Sequence, residues 1–441
     1  MPSLAAARLA SVGPRWLASR YRRVRSLTDQ LAEPLSPEDC CVQSQTDSSP
    51  AKWHLAHTTW FFERFVLSEY EAGFSPHDER YNFLFNSYYV RAGDRQPRPK
   101  RGMITRPSLG EVLAYRASVD ERMGALLGGE PSAEALELIE IGLHHEQQHQ
   151  ELLVADIKHL LSCNPFGEAY ASWTRSDDGL VAGEARPGGG VPAMSFVECE
   201  GGSRWIGADA SRTFCYDNER GRHEVLVLPF AIADRPLCNA EVLAFVEGGG
   251  YERPELWLDD GWAWVVGHGV SAPMYWRASE AGWSCFTLEG WRTVDAGRPA
   301  CHLSYYEADA IARFLGARLP TEVEWEVACV RRGERGRLLD QDDVFRKGLE
   351  PSVSPSPHEG WLAQMMGDVW EWTSSAYGPY PGFRAPEGAL GEYNGKFMVN
   401  QMVCRGGSFA TPADHIRPTY RNFFHPEKRW AFTGVRLAKD V

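Results

Sequence analysis

No apolar run in the 441 residues approaches the roughly 20 that a helical membrane span needs. No Cys-x-x-Cys pair occurs among the ten cysteines, Cys40, Cys41, Cys163, Cys199, Cys215, Cys238, Cys285, Cys301, Cys329 and Cys404. That argues against a structural zinc ribbon, and each Cys reads as a small buried hydrophobe. No continuous apolar stretch follows the charges of the N-terminus, so a secretory signal is not expected, and reduced thiols in a cytoplasm are. Positive charge is in deficit. Lys and Arg number 46 against 59 Asp and Glu, a net charge of -13, which points away from nucleic acid or an anionic membrane as partner. No repeat recurs at solenoid spacing. Acid is missing from the first 26 residues, MPSLAAARLASVGPRWLASRYRRVRS, which are rich in Arg, Ala and Ser. That composition resembles a transit peptide, but a ragged terminus running into a basic first helix is the expected form.

What is present is ordinary for a globular protein: 43% hydrophobic and 24% charged residues. The length suits two or three domains. The 16 Trp are unusual, and most lie in the C-terminal two thirds. Residues 15 to 165 read as four helices, a bundle. The first covers about 15 to 33. In the second, KWHLAHTTWFFERFVL, helical spacing puts Trp53, His57, Phe61 and Val66 near one stripe. The third, SLGEVLAYRASVDERMGALL, opens on Ser108 with Glu111 three residues on, the capping-box pattern. The fourth runs through SAEALELIEIGLHHEQQHQELLVADIKHLLSC and stops near Asn164-Pro165. The long connection between the second and third carries Tyr81, Phe83, Phe85, Tyr88 and Tyr89, and that aromatic content predicts order. Residues 166–190 have linker composition, ending in GEARPGGG. From 191 to 441 short apolar segments alternate with Gly, Pro and Trp. This predicts a loop-rich α+β domain, with helices at SYYEADAIARFLGA and TEVEWEVACV.

In HHEQQH, His145 and His149 stand one helical turn apart, so both can face one metal. The pattern also fits the HExxH of zinc peptidases, with Glu146 as general base. The extended form with a further His fails, because Ala155 stands there. Taken alone, the pair is equally two histidines on an amphipathic helix. His57, on a second apolar helix, shifts the balance. Alone it reads as a core histidine; beside His145 and His149 it becomes a third ligand candidate. Three imidazoles leave open positions on a metal for substrate and O2. His54 and His144 are expected to point elsewhere on their helices.

SPAKWHLAHTTWFFE, FNSYY, HHEQQHQELLVADIKH, RLPTEVEWEVA, GDVWEWTSS, LGEYNGKFM, RGGSFATP, YRNFF and RWAFTGVRLA together resemble the ergothioneine-type sulfoxide synthases, over about residues 15 to 440. The resemblance implies a DinB-like four-helix bundle (1–165), the linker (166–190) and a C-terminal domain like the formylglycine-generating enzyme, a C-type-lectin-like fold (191–441). It implies Fe(II) and O2 as cofactor and co-substrate. Hercynine, an Nα-trimethylated histidine, is joined at imidazole C2 to the sulfur of a small thiol, giving a sulfoxide. It assigns the iron to His57, His145 and His149 and the hercynine imidazole to Gln148. The trimethylammonium falls to Asn422, Phe423 and Phe424, where aromatic faces suit a quaternary cation. Tyr88 and Tyr89 match the tyrosine pair of the cysteine-using branch and become candidate proton donors; packing under the long loop is their other reading. Arg95, Arg98 and Arg101 are candidates for a substrate carboxylate, or else a solvated basic loop. The site is expected to draw on both domains.

The chain departs from the pattern in several places. The Asp that reads γ-glutamylcysteine in one branch is absent after Asn422-Phe423, which favours a smaller or different donor. Phe409, His425 and Ala431 replace residues frequent in cysteine-using members, and Val90-Arg91 follows the tyrosine pair. These departures open a selenoneine synthase, which uses a selenosugar donor, as the alternative. A copper-binding cysteine pair, needed for formylglycine generation, is not matched. A zinc peptidase and a lectin-like binding protein are the more remote readings.

Overall fold

The computed structural model describes residues 13–171, 191, 193–280, 282–339, 348–355, 360–387, 391 and 394–441. Two compact units emerge. One holds the chain up to Asn164 together with Asp209–Asp217 and Arg384–Lys396. The other holds Pro165–Ala208, Asn218–Phe383 and Phe397–Val441. The contiguous C-terminal domain expected over 191–441 thus gives up two short segments to the helical unit. The linker expected at 166–190 lies outside the described residues from 172 on. Ahead of that point, the Tyr170 N–H donates to the Leu288 carbonyl at 2.8 Å, inside the second unit.

The helical unit is framed by α1 (Pro14–Ala32), α2 (Ala51–Phe62), α3 (Leu109–Gly128) and α4 (Ala133–Ser162). Pro14 opens α1, where its missing N–H costs nothing. The capping box on α3 is present: Ser108 N donates to Glu111 Oε2 at 2.7 Å and Glu111 N to Ser108 Oγ at 3.3 Å. α2 differs from the expected single stripe. Every residue from Ala51 to Phe62 is buried, because α1, α3 and α4 all pack on it. A helix enclosed on all sides needs no polar face, and its polar groups must find internal partners. Lys52 does so by donating to the carbonyls of Ile104 and Pro107 at 2.9 and 3.0 Å. The helix runs on through a π-helical turn at Glu63–Leu67. α4 meets α2 at Gly142, where an added Cβ would lie 2.6 Å from Phe62 Cε1 and 3.0 Å from Phe61 Cε1. Glycine there lets the two helices close together three residues before His145.

The second unit is built of small sheets. In chain order its strands are β1 (Phe196–Cys199), β2 (Gly202–Ile206), β3 (His223–Val227), β4 (Phe230–Ala233), β5 (Trp276–Ser279), β6 (Gly282–Thr287) and β7 (Gly290–Thr293). There follow β8 (Gly333–Arg335), β9 (Leu362–Met366), β10 (Trp370–Ala376), β11 (Met402–Arg405), β12 (Asn422–Phe424), β13 (Thr433–Gly434) and β14 (Ala438–Asp440). The central pieces are the antiparallel sheet β1-β4-β14 and the mixed sheet β12-β11-β10-β13. Helices α5 (Asn239–Glu247), α6 (Asp259–His268), α7 (Tyr305–Phe314) and α8 (Glu322–Arg332) accompany them. The last two are the pair expected from sequence, each with a capping box. Trp325 of α8 sits in the core with Phe230, Ile232, Leu362 and Met365. Its indole N–H donates to Glu371 Oε2 at 2.5 Å, and Glu371 is paired in turn with the buried Arg436. Among the described residues no helix is long and apolar enough to cross a membrane.

Candidate metal centre

His57 comes from α2, and His145 and His149 from successive turns of α4. One nitrogen from each lies within 4.8 Å of the others, and His57 Nε2 is 3.1 Å from His145 Nε2. All three are buried, His149 the least at 9% exposed. Burial is the main force lowering their pKa values, and the neighbouring imidazoles add to it at His57 and His149. His145 falls to about 3, and the other two lie well below the ordinary 6.5. The rings are therefore neutral at neutral pH, with lone pairs available.

Their surroundings fix which nitrogen faces inward. His57 Nδ1 is 2.6 Å from the Phe85 carbonyl. A carbonyl only accepts, so Nδ1 carries the proton and Nε2 presents its lone pair to the cluster. Trp53 stacks on this ring at 4.4 Å and Trp60 at 5.7 Å. The Phe85 carbonyl closes a short helix, Tyr81–Phe85, in the long aromatic connection, which is ordered as its composition suggested. His149 Nδ1 is 2.8 Å from His54 Nδ1, and His54 Nε2 is 3.0 Å from Asp156 Oδ2. His54 was expected to point elsewhere. It and His57 sit three residues apart on α2, the spacing of neighbours on one helix face. His144 does point away: it stacks on Phe214 at 3.8 Å and lies 3.1 Å from Arg20 Nη2.

The donor set fits a divalent transition ion. Three neutral imidazoles suit iron, zinc, copper or nickel. A 3.1 Å gap between two nitrogens is what ligands on bonds of about 2.1 Å can span around one ion. Glu146 has no part in it. Its Oε1 accepts from Arg116 Nη2 and Thr28 Oγ1, both at 2.7 Å, and its Oε2 from Arg25 Nη1 at 3.0 Å. Burial works to raise its pKa, but Arg116 and Arg25 outweigh it and bring the carboxyl to about 2. A carboxylate held this way cannot serve as the base of a peptidase, so that reading of HEQQH fails on geometry.

Comparison with known proteins covers both parts of the chain. Residues 20–153 match the DinB superfamily, and 184–441 match the sulfatase-modifying factor enzyme 1-like domain. The hercynine oxygenase of Mycolicibacterium thermoresistibile is 33% identical over 92% of this chain and 91% of its own. The chain belongs to the hercynine oxygenase family. The hercynine oxygenase of Mycobacterium tuberculosis is 32% identical over 97% of this chain and 99% of its own. The ergothioneine biosynthesis protein 1 of Schizosaccharomyces pombe is 30% identical over 52% of this chain and 28% of its own. The ergothioneine-type sulfoxide synthase resemblance and the two-domain α+β architecture therefore hold.

The remaining residues singled out by that resemblance fall into separate places. Gln148, partly exposed, is three residues from His145 and so on the same side of α4. Tyr89 is fully buried against Trp60, Phe61 and Phe65 at 5.9, 6.4 and 5.1 Å. Phe61 in turn packs on His145 at 4.7 Å. Tyr88, half-buried, rests 4.9 Å from Tyr89. Lys396 donates to its carbonyl and sits 5.0 Å over its ring.

The three arginines part company. Arg95 and Arg98 are exposed and spend contacts on the carbonyls of Ser87 and Asp47. Arg101 is 4% exposed and lies 3.4 Å over the Trp53 ring. It donates to Ser49 Oγ at 2.9 Å and Ser87 Oγ at 3.2 Å, and no described carboxylate pairs with it. Burial, with Arg98 adding to it, pushes it down to about 9. In the second unit Asn422, Phe423 and Phe424 form β12, so neighbours point to opposite faces. Phe423 stacks on Tyr377 at 3.9 Å. Phe424 packs against Trp430 and Trp372 at 5.6 and 6.3 Å. The triplet cannot present all three side chains to one ligand. Of the departures, Phe409 is core, 4.5 Å from Phe432; Ala431 is buried and His425 exposed.

Proposed function

We propose that the chain is an Fe(II)- and O2-dependent oxygenase that joins hercynine at imidazole C2 to the sulfur of cysteine as a sulfoxide. The observation that carries this is the convergence of three buried, neutral imidazoles on one point, in a chain of this family. A pure binding module has no use for such a cluster. In the balanced reaction a C–H and an S–H are lost and a C–S bond forms. One oxygen atom of O2 ends on sulfur and the other in water.

His57, His145 and His149 hold the iron, which when bound supplies the oxygen chemistry. Burial of the three keeps bulk water from the reacting atoms. Gln148 hydrogen-bonds the hercynine imidazole. Arg101 receives a substrate carboxylate: a buried guanidinium without an acidic partner is costly unless a ligand supplies the charge. Its depressed pKa still leaves it cationic at neutral pH. Tyr88 or Tyr89 donates the proton that the oxygen chemistry requires. Asn422 and Phe424, on one face of their strand, are the better pair for the trimethylammonium; Phe423 already has a stacking partner.

The donor is tested by competition. Cysteine, γ-glutamylcysteine and a selenosugar are offered together to the Fe(II)-loaded protein with hercynine and air, and the products are weighed by mass spectrometry. The expected product is hercynyl-cysteine sulfoxide. A selenium adduct as the main product would replace cysteine with the selenosugar. Phe409 sits in the core and His425 at the surface, which weakens the case those departures made for selenium.

A further inference from the structure

The three histidines are not held alike. A neutral carbonyl, that of Phe85, fixes His57. A chain of two further side chains ending in a carboxylate fixes His149. We propose that His54 and Asp156 form a carboxylate–imidazole relay that makes His149 a metal donor at Nε2 and more electron-rich than His57. This rests on the metal reading given above and adds two positioning residues to it.

Proton accounting supports the direction. Asp156 Oδ2 also accepts the Ser49 N–H at 2.8 Å, so it acts as an acceptor on two sides. His54 Nε2 at 3.0 Å therefore carries a proton toward it. With its proton on Nε2, the His54 ring offers Nδ1 as an acceptor. That atom lies 2.8 Å from His149 Nδ1, and a hydrogen bond there requires the proton on His149. With Nδ1 protonated, His149 keeps its lone pair at Nε2. The opposite tautomer would aim an N–H at the site and could not ligate. Outer groups that hold a ligating imidazole in this way usually change metal affinity by about 10–100-fold when removed. Here the carboxylate acts through an intervening imidazole. Both members are buried, His54 at 2% and Asp156 at 6% exposed, so solvent cannot take over their hydrogen bonds. They come from different helices, α2 and α4, and the relay also locks these two helices in register at the site.

The test uses Co(II) binding to the metal-free protein, followed by visible absorption and by competition with a chelator. The wild type is compared with His54→Phe, His54→Gln and Asp156→Asn, and folding is checked by circular dichroism. Asp156→Asn keeps a hydrogen-bond acceptor for His54 but removes the charge. Co(II) affinity should fall about 10–100-fold in His54→Phe and by less in Asp156→Asn, with the absorption band displaced in both. His54→Gln, which can still accept from His149 through its side-chain oxygen, should recover part of the loss. Wild-type affinity and band position in folded His54→Phe or, if that variant does not fold, in Asp156→Asn, would overturn the relay. The underlying metal reading is checked separately: His145→Ala should abolish Co(II) binding. Retained binding there would sink the ligand assignment itself, whatever the relay variants do.

Discussion

Glu146 shows how one residue in a motif can be read correctly by type and wrongly by role. Its position in HEQQH suggests a base, but at helical spacing it turns about 100° from His145, toward Arg25 and Arg116. Glu146→Gln would leave two buried guanidinium groups against a neutral amide, and should cost about 3–5 kcal/mol, read as a lowered unfolding midpoint at neutral pH. The pH dependence has a definite sign. The folded pKa of about 2 lies below the ordinary 4.5. The carboxylate's contribution is thus whole above that ordinary value and is lost as pH falls toward the folded one. The wild-type stability curve should be steeper than that of Glu146→Gln in this acid window. Equal slopes would mean that the ion pairs contribute nothing. The histidine cluster was legible in sequence because two of its members obey helical spacing and the third lies in a family motif. His54 and Asp156 were not. Their partnership joins positions 102 apart in the chain, and only the packing of α2 on α4 brings them together. Spacing on α2 did offer a hint, since HLAH puts His54 and His57 on neighbouring turns.

At the scale of elements, α2 and α4 are set by how closely they approach. Gly142→Val places branched carbons where Phe62 already stands. Overpacking of this kind typically costs about 1–3 kcal/mol. Because His145 follows by three residues, it should also weaken metal binding. Thermal unfolding together with Co(II) titration measures both effects, and a loss of stability with unchanged affinity would show that the centre tolerates the displacement. The aromatic connection carries another prediction. Tyr88→Phe or Tyr89→Phe should divert the reaction toward thiol oxidation without C–S bonding, seen as a changed ratio of cystine to adduct. Unchanged ratios in both variants would remove the tyrosines from the chemistry. Helix existence and the capping box of α3 could be read from local signals. The enclosure of α2 could not, because its residues are as apolar as those of a one-sided helix and only its neighbours decide. The split of Asn422-Phe423-Phe424 across two faces was hidden for a similar reason: a three-residue run shows no alternation until it is known to be a strand.

For the molecule as a whole, sequence sufficed for two domains of different texture, a helical one and a Trp- and Gly-rich α+β one. It did not reveal that Asp209–Asp217 and Arg384–Lys396 belong to the helical unit. Those segments carry the polar and aromatic composition of the rest of the second domain, and nothing in that composition names a partner. Phe214 on His144 and Lys396 over Tyr88 are among the side-chain contacts that tie them to it. Of the basic loop, sequence offered three equivalent arginines, and the fold buries Arg101 while leaving Arg95 and Arg98 exposed.

The measurement that tests the central claim most directly is O2 uptake by the Fe(II)-loaded protein, with hercynine and cysteine added singly and together, against His145→Ala. The account predicts uptake coupled to both substrates, one O2 for each C–S bond formed, and its loss in His145→Ala. Uptake that proceeds equally in His145→Ala, or that ignores hercynine, would contradict it.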